Sequence, residues 1–313
     1  MTPSTDSARV PDFFIVGHHK SGTTALYRML RRHPQIFMPA LKEPKFFASD
    51  LPARLEPPAA GTLPGTLKEY LALFADARPD QRAGEASPSY LRSHVAAGLI
   101  AQLQPAARIV AILREPASFV RSLHLQLVQS HVESEKDLAK ALAAEDVVRG
   151  GQQMRRYSDH VRYVEQLRRY HAVFPRERVL VLIYDDFRAE NEATVRRVLR
   201  FLDVDDTVRV DPIEANPTVG VRSLRLDDTV RALYEGRGPL ARIVKNTVKT
   251  ITPTRLRVNA SRAIRGRLVY GKPPPPDEDV MAQLRHRFKA EVLALSEYMD
   301  RDLVELWGYD GIA

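Results

Sequence analysis

The sequence predicts an α/β fold, a doubly wound parallel sheet flanked by helices and followed by a helical C-terminal extension. Three observations carry this. Short apolar runs alternate with helical patterns over the first two thirds of the chain, a glycine-bounded turn follows the first run, and the C-terminal segment holds one long amphipathic pattern. The first run, Phe13 to Val16, reads as a strand, and Ala25, Leu26, Met29 and Leu30 then recur at helical spacing. Between them lies Gly17-His18-His19-Lys20-Ser21-Gly22-Thr23-Thr24, a turn whose backbone N–H groups would meet the start of a helix and cradle an anionic oxygen, which makes the sheet P-loop-type. Gly17 and Gly22 have the separation of phosphate-loop glycines, but the Gly-Lys-Ser/Thr ending is missing. Thr23 follows Gly22, and the lysine stands two residues before that glycine, at Lys20. Such a cradle predicts phosphate binding without the grip on a nucleotide's terminal phosphates that an ATPase needs.

The remaining elements follow in order. Arg108 to Leu113 and Val179 to Ile183 are continuous apolar runs, as strands of a parallel sheet covered on both faces should be. Ser118 to Val132 and Tyr157 to Phe174 read as helices. Residues 51–66 carry four prolines and two glycines and predict a surface loop, and Pro273 to Pro276 predicts a rigid spacer. Val280, Leu284, Phe288, Val292, Leu295 and Met299 then fall at helical intervals. The chain divides into a flexible N-terminus, residues 1–12, a core, residues 13–215, and a basic and helical region packed on that core, residues 216–313.

Composition narrows the function classes. With 313 residues the chain can bury a large core. The balance of 47 Lys+Arg against 39 Asp+Glu leaves +8, so an anionic ligand, a nucleic acid or an acidic surface is the natural partner. Cysteine is absent, which excludes disulfides, thiolate metal sites and a cysteine nucleophile. The run Phe13 to Val16 is far too short for a signal h-region or a membrane span, so a cytoplasmic chain, or one peripheral at the membrane, is expected.

The cradle Lys20-Ser21-Gly22-Thr23-Thr24 resembles the 5'-phosphosulfate loop of sulfotransferases that use 3'-phosphoadenosine-5'-phosphosulfate (PAPS). Four further stretches are similar in the same order, above all to the heparan sulfate sulfotransferase branch and its bacterial relatives. They are Lys42-Glu43-Pro44-Lys45-Phe46-Phe47, with Lys45 where that branch has histidine; Glu85-Ala86-Ser87-Pro88-Ser89-Tyr90; Arg108 to Pro116 followed by Ser122; and Arg178 to Phe187, which resembles the last core strand. The resemblance implies PAPS as cofactor, with no metal, and sulfuryl transfer to a hydroxyl, or less readily an amine, of a glycan, lipid or small natural product. It implies that Lys20 neutralises the 5'-phosphate and the bridging oxygen, and that Ser21, Gly22, Thr23 and Thr24 add donors. Arg114 and Ser122 would clamp the 3'-phosphate, a task suited to a planar guanidinium fork. Glu85 would be the general base, since the attacking hydroxyl must lose its proton. Lys42 would steady the transferring group, and His18 and His19, which lie in the cradle, are fallback proton acceptors, His19 the one carried into the catalytic set. The late basic loop of the family has no clear counterpart, which leaves Arg222, Ser223 and Arg225 as candidate adenine-side contacts.

Two other readings stand beside this one. Val179 to Asp186 could pass for a strand ending in a magnesium carboxylate, as in a P-loop kinase or NTPase, but the displaced lysine speaks against it. From Arg222 to Lys272 thirteen basic residues face three acidic ones, which would suit a nucleic-acid or membrane-surface binding protein or the recruitment of an anionic acceptor. Tyr234 and Tyr270 are the only aromatics there, so base stacking is poorly supported and no nucleic acid is expected. His124 and His131, seven residues apart, could share a helix face but bring no further ligand pattern.

Overall fold

The computed structural model describes residues 9–51, 63–145, 156–213, 220–221, 270–271 and 273–312. Five parallel strands, β1 (Phe13–Gly17), β2 (Ile36–Phe37), β3 (Arg82–Ala86), β4 (Arg108–Leu113) and β5 (Val179–Ile183), form one sheet in the order β2-β3-β1-β4-β5. Helices α1 (Thr23–Leu30), α2 (Leu67–Ala72), α3 (Ala96–Leu103), α4 (Pro116–Gln129), α5 (Leu138–Ala143), α6 (Tyr157–His160) and α7 (Tyr163–His171) are interleaved with the strands. After β5 come α8 (Tyr184–Ala189) and α9 (Asn191–Phe201), and α10 (Glu278–Met299) and α11 (Leu303–Trp307) end the chain.

Alternation along the strands explains the two layers. Phe14, Val16, Ile109, Ala111 and Leu113 face one side, where they join Leu123 and Leu127 of α4, Leu167 of α7, and Leu284, Val292 and Leu295 of α10. Phe13, Ile15, Val110 and Ile112 face the other, against Leu26, Met29 and Leu30 of α1 and Val195, Val198 and Leu199 of α9. Both faces of the sheet are therefore buried, and every residue of β1 is buried. From β1 the chain crosses to β2 and β3 on one side and then returns past β1 to β4 and β5 on the other. The crevice at the carboxyl end of β1 is thus a topological switch point, where ligands of open α/β sheets collect.

The structure corrects several local expectations. The pattern from Ser118 to Val132 ends as helix at Gln129, and His131 takes a left-handed φ of 59°, so it does not share a helix face with His124. Tyr157 to Phe174 is not one helix, because Val161 and Arg162 separate α6 from α7. The segment Arg178 to Phe187 is strand only through Ile183, after which Tyr184, Asp185 and Asp186 open α8. The Pro-rich stretch 51–66 lies largely outside the described residues, as does the basic run 222–272 apart from Tyr270–Gly271, which pairs antiparallel with Gly220–Val221. Among the described residues no helix is long and apolar enough to cross a membrane.

Candidate active site

The cradle is shaped by two positions that no side chain can fill. Gly17 closes β1 with φ 133°, and a Cβ there would stand 2.6 Å from the Ile112 carbonyl oxygen. Gly22 takes φ 82° at the start of α1, where a Cβ would meet the Phe187 ring at 2.9 Å. Between them Lys20 is itself left-handed, with φ 63°. The first turn of α1 has no side-chain cap and no acidic residue, so its backbone donors and its positive dipole end are aimed into the turn. The Ser21 hydroxyl is buried there with no hydrogen-bond partner among the described residues. Buried polar groups are normally paired, which makes this atom a candidate partner for a ligand oxygen.

Cations converge on the same point. Arg114, just past β4, donates from Nη1 to the Lys20 carbonyl oxygen at 2.8 Å, and its guanidinium lies 4.8 Å from the centre of the Tyr184 ring. Burial, then Arg114, holds the Lys20 ammonium below the usual lysine range. Burial and Arg114 likewise hold Arg121 down. Mutual repulsion of this kind is relieved by an anion. Glu115 caps α4 by accepting from Ala117 N at 2.8 Å and Ser118 N at 2.6 Å, which starts the helix that carries Ser122 on its buried face.

Beside the cradle, residues 42–47 fold over the end of β3. Glu43 N donates to the Ala86 carbonyl at 3.0 Å, and Lys45 N donates to the Ser87 hydroxyl oxygen at 3.2 Å. Glu43 and Lys45 both take left-handed backbone, φ 62° and 55°, around Pro44. Two such non-glycine residues within three positions are costly, and backbone of this kind clusters at functional sites. Lys42 Nζ donates to Glu43 Oε1 at 2.5 Å. Burial would push the Glu43 carboxyl up, but Lys42, His19 and Lys45 outweigh it and hold it at about 2. His19 is held at about 4 by burial, which outweighs Glu43, with Lys45 and Lys42 adding to the depression, so its ring is neutral at neutral pH.

Glu85, the general base that the resemblance implies, lies in β3. It is 0 % exposed, on the sheet face of Phe14, and its Oε2 accepts from the Tyr70 hydroxyl at 3.0 Å. Burial pushes its carboxyl up to about 7, against the hydroxyls of Ser87, Tyr90 and Tyr70. Its Oε1 is buried with no hydrogen-bond partner among the described residues. His18 is also sealed, 2 % exposed, with the Phe119 and Tyr163 rings each 4.9 Å from its own. Arg222, Ser223 and Arg225 lie outside the described residues. The structure adds Glu43, which sits inside a motif already singled out and whose position between two lysines was the available signal. It also adds Tyr70, whose contact with Glu85 no local pattern announces.

The strand-end carboxylates that could have served a magnesium ion are turned to other work. Asp185 accepts from the Trp307 indole N–H at 3.0 Å, and Asp186 takes both arms of Arg301 at 2.5 and 2.7 Å.

Comparison with known proteins agrees with this geometry. The family model described as a sulfotransferase domain matches residues 10–218. A sulfotransferase from Alicyclobacillus acidocaldarius is 27 % identical, with a TM-score of 0.58 over 80 % of this chain and 99 % of its own. The sulfotransferase domain of the curacin biosynthetic pathway is 16 % identical, with a TM-score of 0.45 over 64 % of this chain and 76 % of its own. The mouse sulfotransferase SULT7A1, complexed with PAP, is 17 % identical, with a TM-score of 0.39 over 89 % of each chain. With a family match across most of its length, on a five-stranded parallel sheet, this chain belongs to the sulfotransferase family.

Proposed function

We propose that this transferase moves the sulfuryl group of PAPS onto a hydroxyl group, making a sulfate ester. The observation that carries the reading is the displaced cation. Lys20 and Arg114 crowd one another under the uncapped start of α1, next to the unpartnered Ser21 hydroxyl. When bound there, PAPS supplies an activated sulfuryl group on a phosphate leaving group. Lys20, Ser21 and the N–H groups of Gly22, Thr23 and Thr24 would hold the 5'-phosphate, and Lys20 would neutralise the charge that grows on its bridging oxygen. Arg114 and Ser122 would hold the 3'-phosphate.

Glu43 is the proton acceptor that this geometry favours over Glu85. It sits at the rim with its side chain 14 % exposed, whereas Glu85 is fully buried. A base held at about 2 is ionised but weak, and Lys42 is the main cause. An anionic group next to Lys42 would draw that cation away from Glu43 and raise its basicity. Lys42 would then steady the charge of the transferring group, and His19, neutral and adjacent, would orient the acceptor.

Binding separates this reading from a nucleotide-triphosphate enzyme. In thermal-shift titrations PAP should stabilise the chain strongly, and ATP with magnesium weakly or not at all. Lys20→Ala should lower turnover by roughly 10²–10³ at saturating PAPS, the scale for one preorganised charge-stabilising group. Tighter binding of ATP than of PAP, or near-native turnover in the alanine variant, would overturn the assignment.

A further inference from the structure

Along the outer face of α1 runs a recess of about 580 Å³ that meets the proposed cofactor and transfer site only at Thr24 and Lys42 and is otherwise unassigned. Arg28, Arg31, Arg32 and Lys42 line it, with Thr24 at the cradle end and Ile213 also in the wall, and none of its lining among the described residues is a carboxylate. The Tyr27 side chain forms part of its lining and is fixed in place: its hydroxyl donates to the Pro39 carbonyl at 2.5 Å and accepts from Arg31 Nη1 at 3.5 Å. Arg28 in the last turn of α1, Arg31 at its C-cap and Arg32 just beyond are exposed and stand three and four residues apart, a spacing at which like charges repel. The helix dipole rewards a cation in the last turn of α1. It does not account for three guanidinium groups lining a concavity that continues to Thr24 and Lys42.

We propose that this recess holds the acceptor's own negative charge. The acceptor carries a carboxylate, sulfate or phosphate group in addition to the hydroxyl to be sulfated. This rests on the sulfuryl-transfer reading above. Arginine forks suit planar or tetrahedral oxyanions, and a concave site suits a discrete anionic group better than a flat membrane surface.

The test uses the full chain, a heparin-derived sulfated tetrasaccharide as probe, its desulfated counterpart, PAP, and phosphatidylglycerol vesicles. The sulfated tetrasaccharide should bind, with or without PAP, and the desulfated one should bind weakly. The variant Arg28→Gln/Arg31→Gln/Arg32→Gln should raise the Kd for the sulfated probe about tenfold and flatten its salt dependence, leaving PAP affinity unchanged. Arg32→Gln alone, exposed just beyond the end of α1, should give a smaller shift in the same direction and covers the case of a misfolded triple variant. Unchanged probe affinity in both variants would overturn the proposal. So would loss of PAP affinity in step with probe affinity, which would place the recess in the nucleotide site, or a loss confined to vesicle binding, which would make it a membrane contact. If the chain fails to bind PAP at all while probe binding still depends on these arginines, the donor reading falls and the recess stands.

Discussion

Two carboxylates joined through the end of β3 are driven in opposite directions, and pH separates their roles. Glu43 is held at about 2 against burial by Lys42, His19 and Lys45, and Glu85 is pushed to about 7 by burial. A catalytic base must be deprotonated. If Glu43 accepts the proton, kcat/KM should show no acid limb near pH 7, whereas a base at Glu85 would make the rate fall as pH drops through 7. Glu43→Gln should lower turnover by roughly 10²–10⁴ with PAP affinity retained. An acid limb near 7 that disappears in Glu85→Gln, with Glu43→Gln near native, would return the base role to Glu85. Stability gives an independent reading. A carboxyl raised in the folded state contributes stability that is fully present below its unfolded value near 4.5 and is lost as pH rises through about 7. Glu85→Gln removes that loss, so its melting temperature relative to the parent should climb between pH 5 and pH 8, by the equivalent of about 1–3 kcal/mol. A flat difference across that range would show that Glu85 keeps its charge when folded. Glu43 runs the other way: its contribution is present above about 4.5 and is lost as pH falls towards about 2.

At the scale of elements, the legible parts were those whose burial leaves a local signature. β1 and β5 are apolar throughout, β4 is apolar from Ile109 on, and α10 repeats an apolar residue every turn, so each could be read from its own residues. β3 could not. Its sequence Arg-Ala-Gly-Glu-Ala has no β-branched residue, and it is a strand because β1 and β2 flank it and supply its ladders. That is tertiary context overriding propensity, and it also hid which way Glu85 points, because register decides the face. Gly84 shows the cost of this placement. A Cβ there would stand 2.1 Å from Phe13 Cζ, a ring that is 0 % exposed. Gly84→Ala should therefore destabilise the chain by about 1–3 kcal/mol through overpacking, measured as a lower denaturation midpoint. Phe13→Leu in the same chain should restore part of it, giving a coupling well above the few tenths expected of independent sites. Additive losses would mean that the Phe13 ring is not the obstacle.

For the whole molecule, the question is whether the C-terminal helices are an appendage or part of the fold, since the family match ends at residue 218 while α10 begins at Glu278. Their contacts place them in the fold. Met281, Leu284, Phe288, Val292 and Leu295 of α10, with Leu303 and Trp307 of α11, belong to the same apolar cluster as Phe14, Ile109 and Leu113 of the sheet. Polar links follow the same path. Tyr309 donates to Glu115 Oε1 at 2.5 Å, so the residue that caps α4 is itself held from the C-terminus. Arg301 takes Asp186, Trp307 takes Asp185, and Val164 N donates to Glu291 Oε1 at 2.8 Å. Through Glu115 and Asp186 these contacts support the helix that carries Ser122 and the segment whose Tyr184 ring lies against Arg114. Leu295 is 0 % exposed, and Leu295→Ala should cost about 2–5 kcal/mol for the lost contacts and the cavity left behind. Because the cluster is continuous, that loss should lower the midpoint of one cooperative unfolding transition, with PAP binding disappearing in the same transition. Two separate transitions, with the PAP-binding one unmoved by the substitution, would show that α10 and α11 fold apart from the sheet.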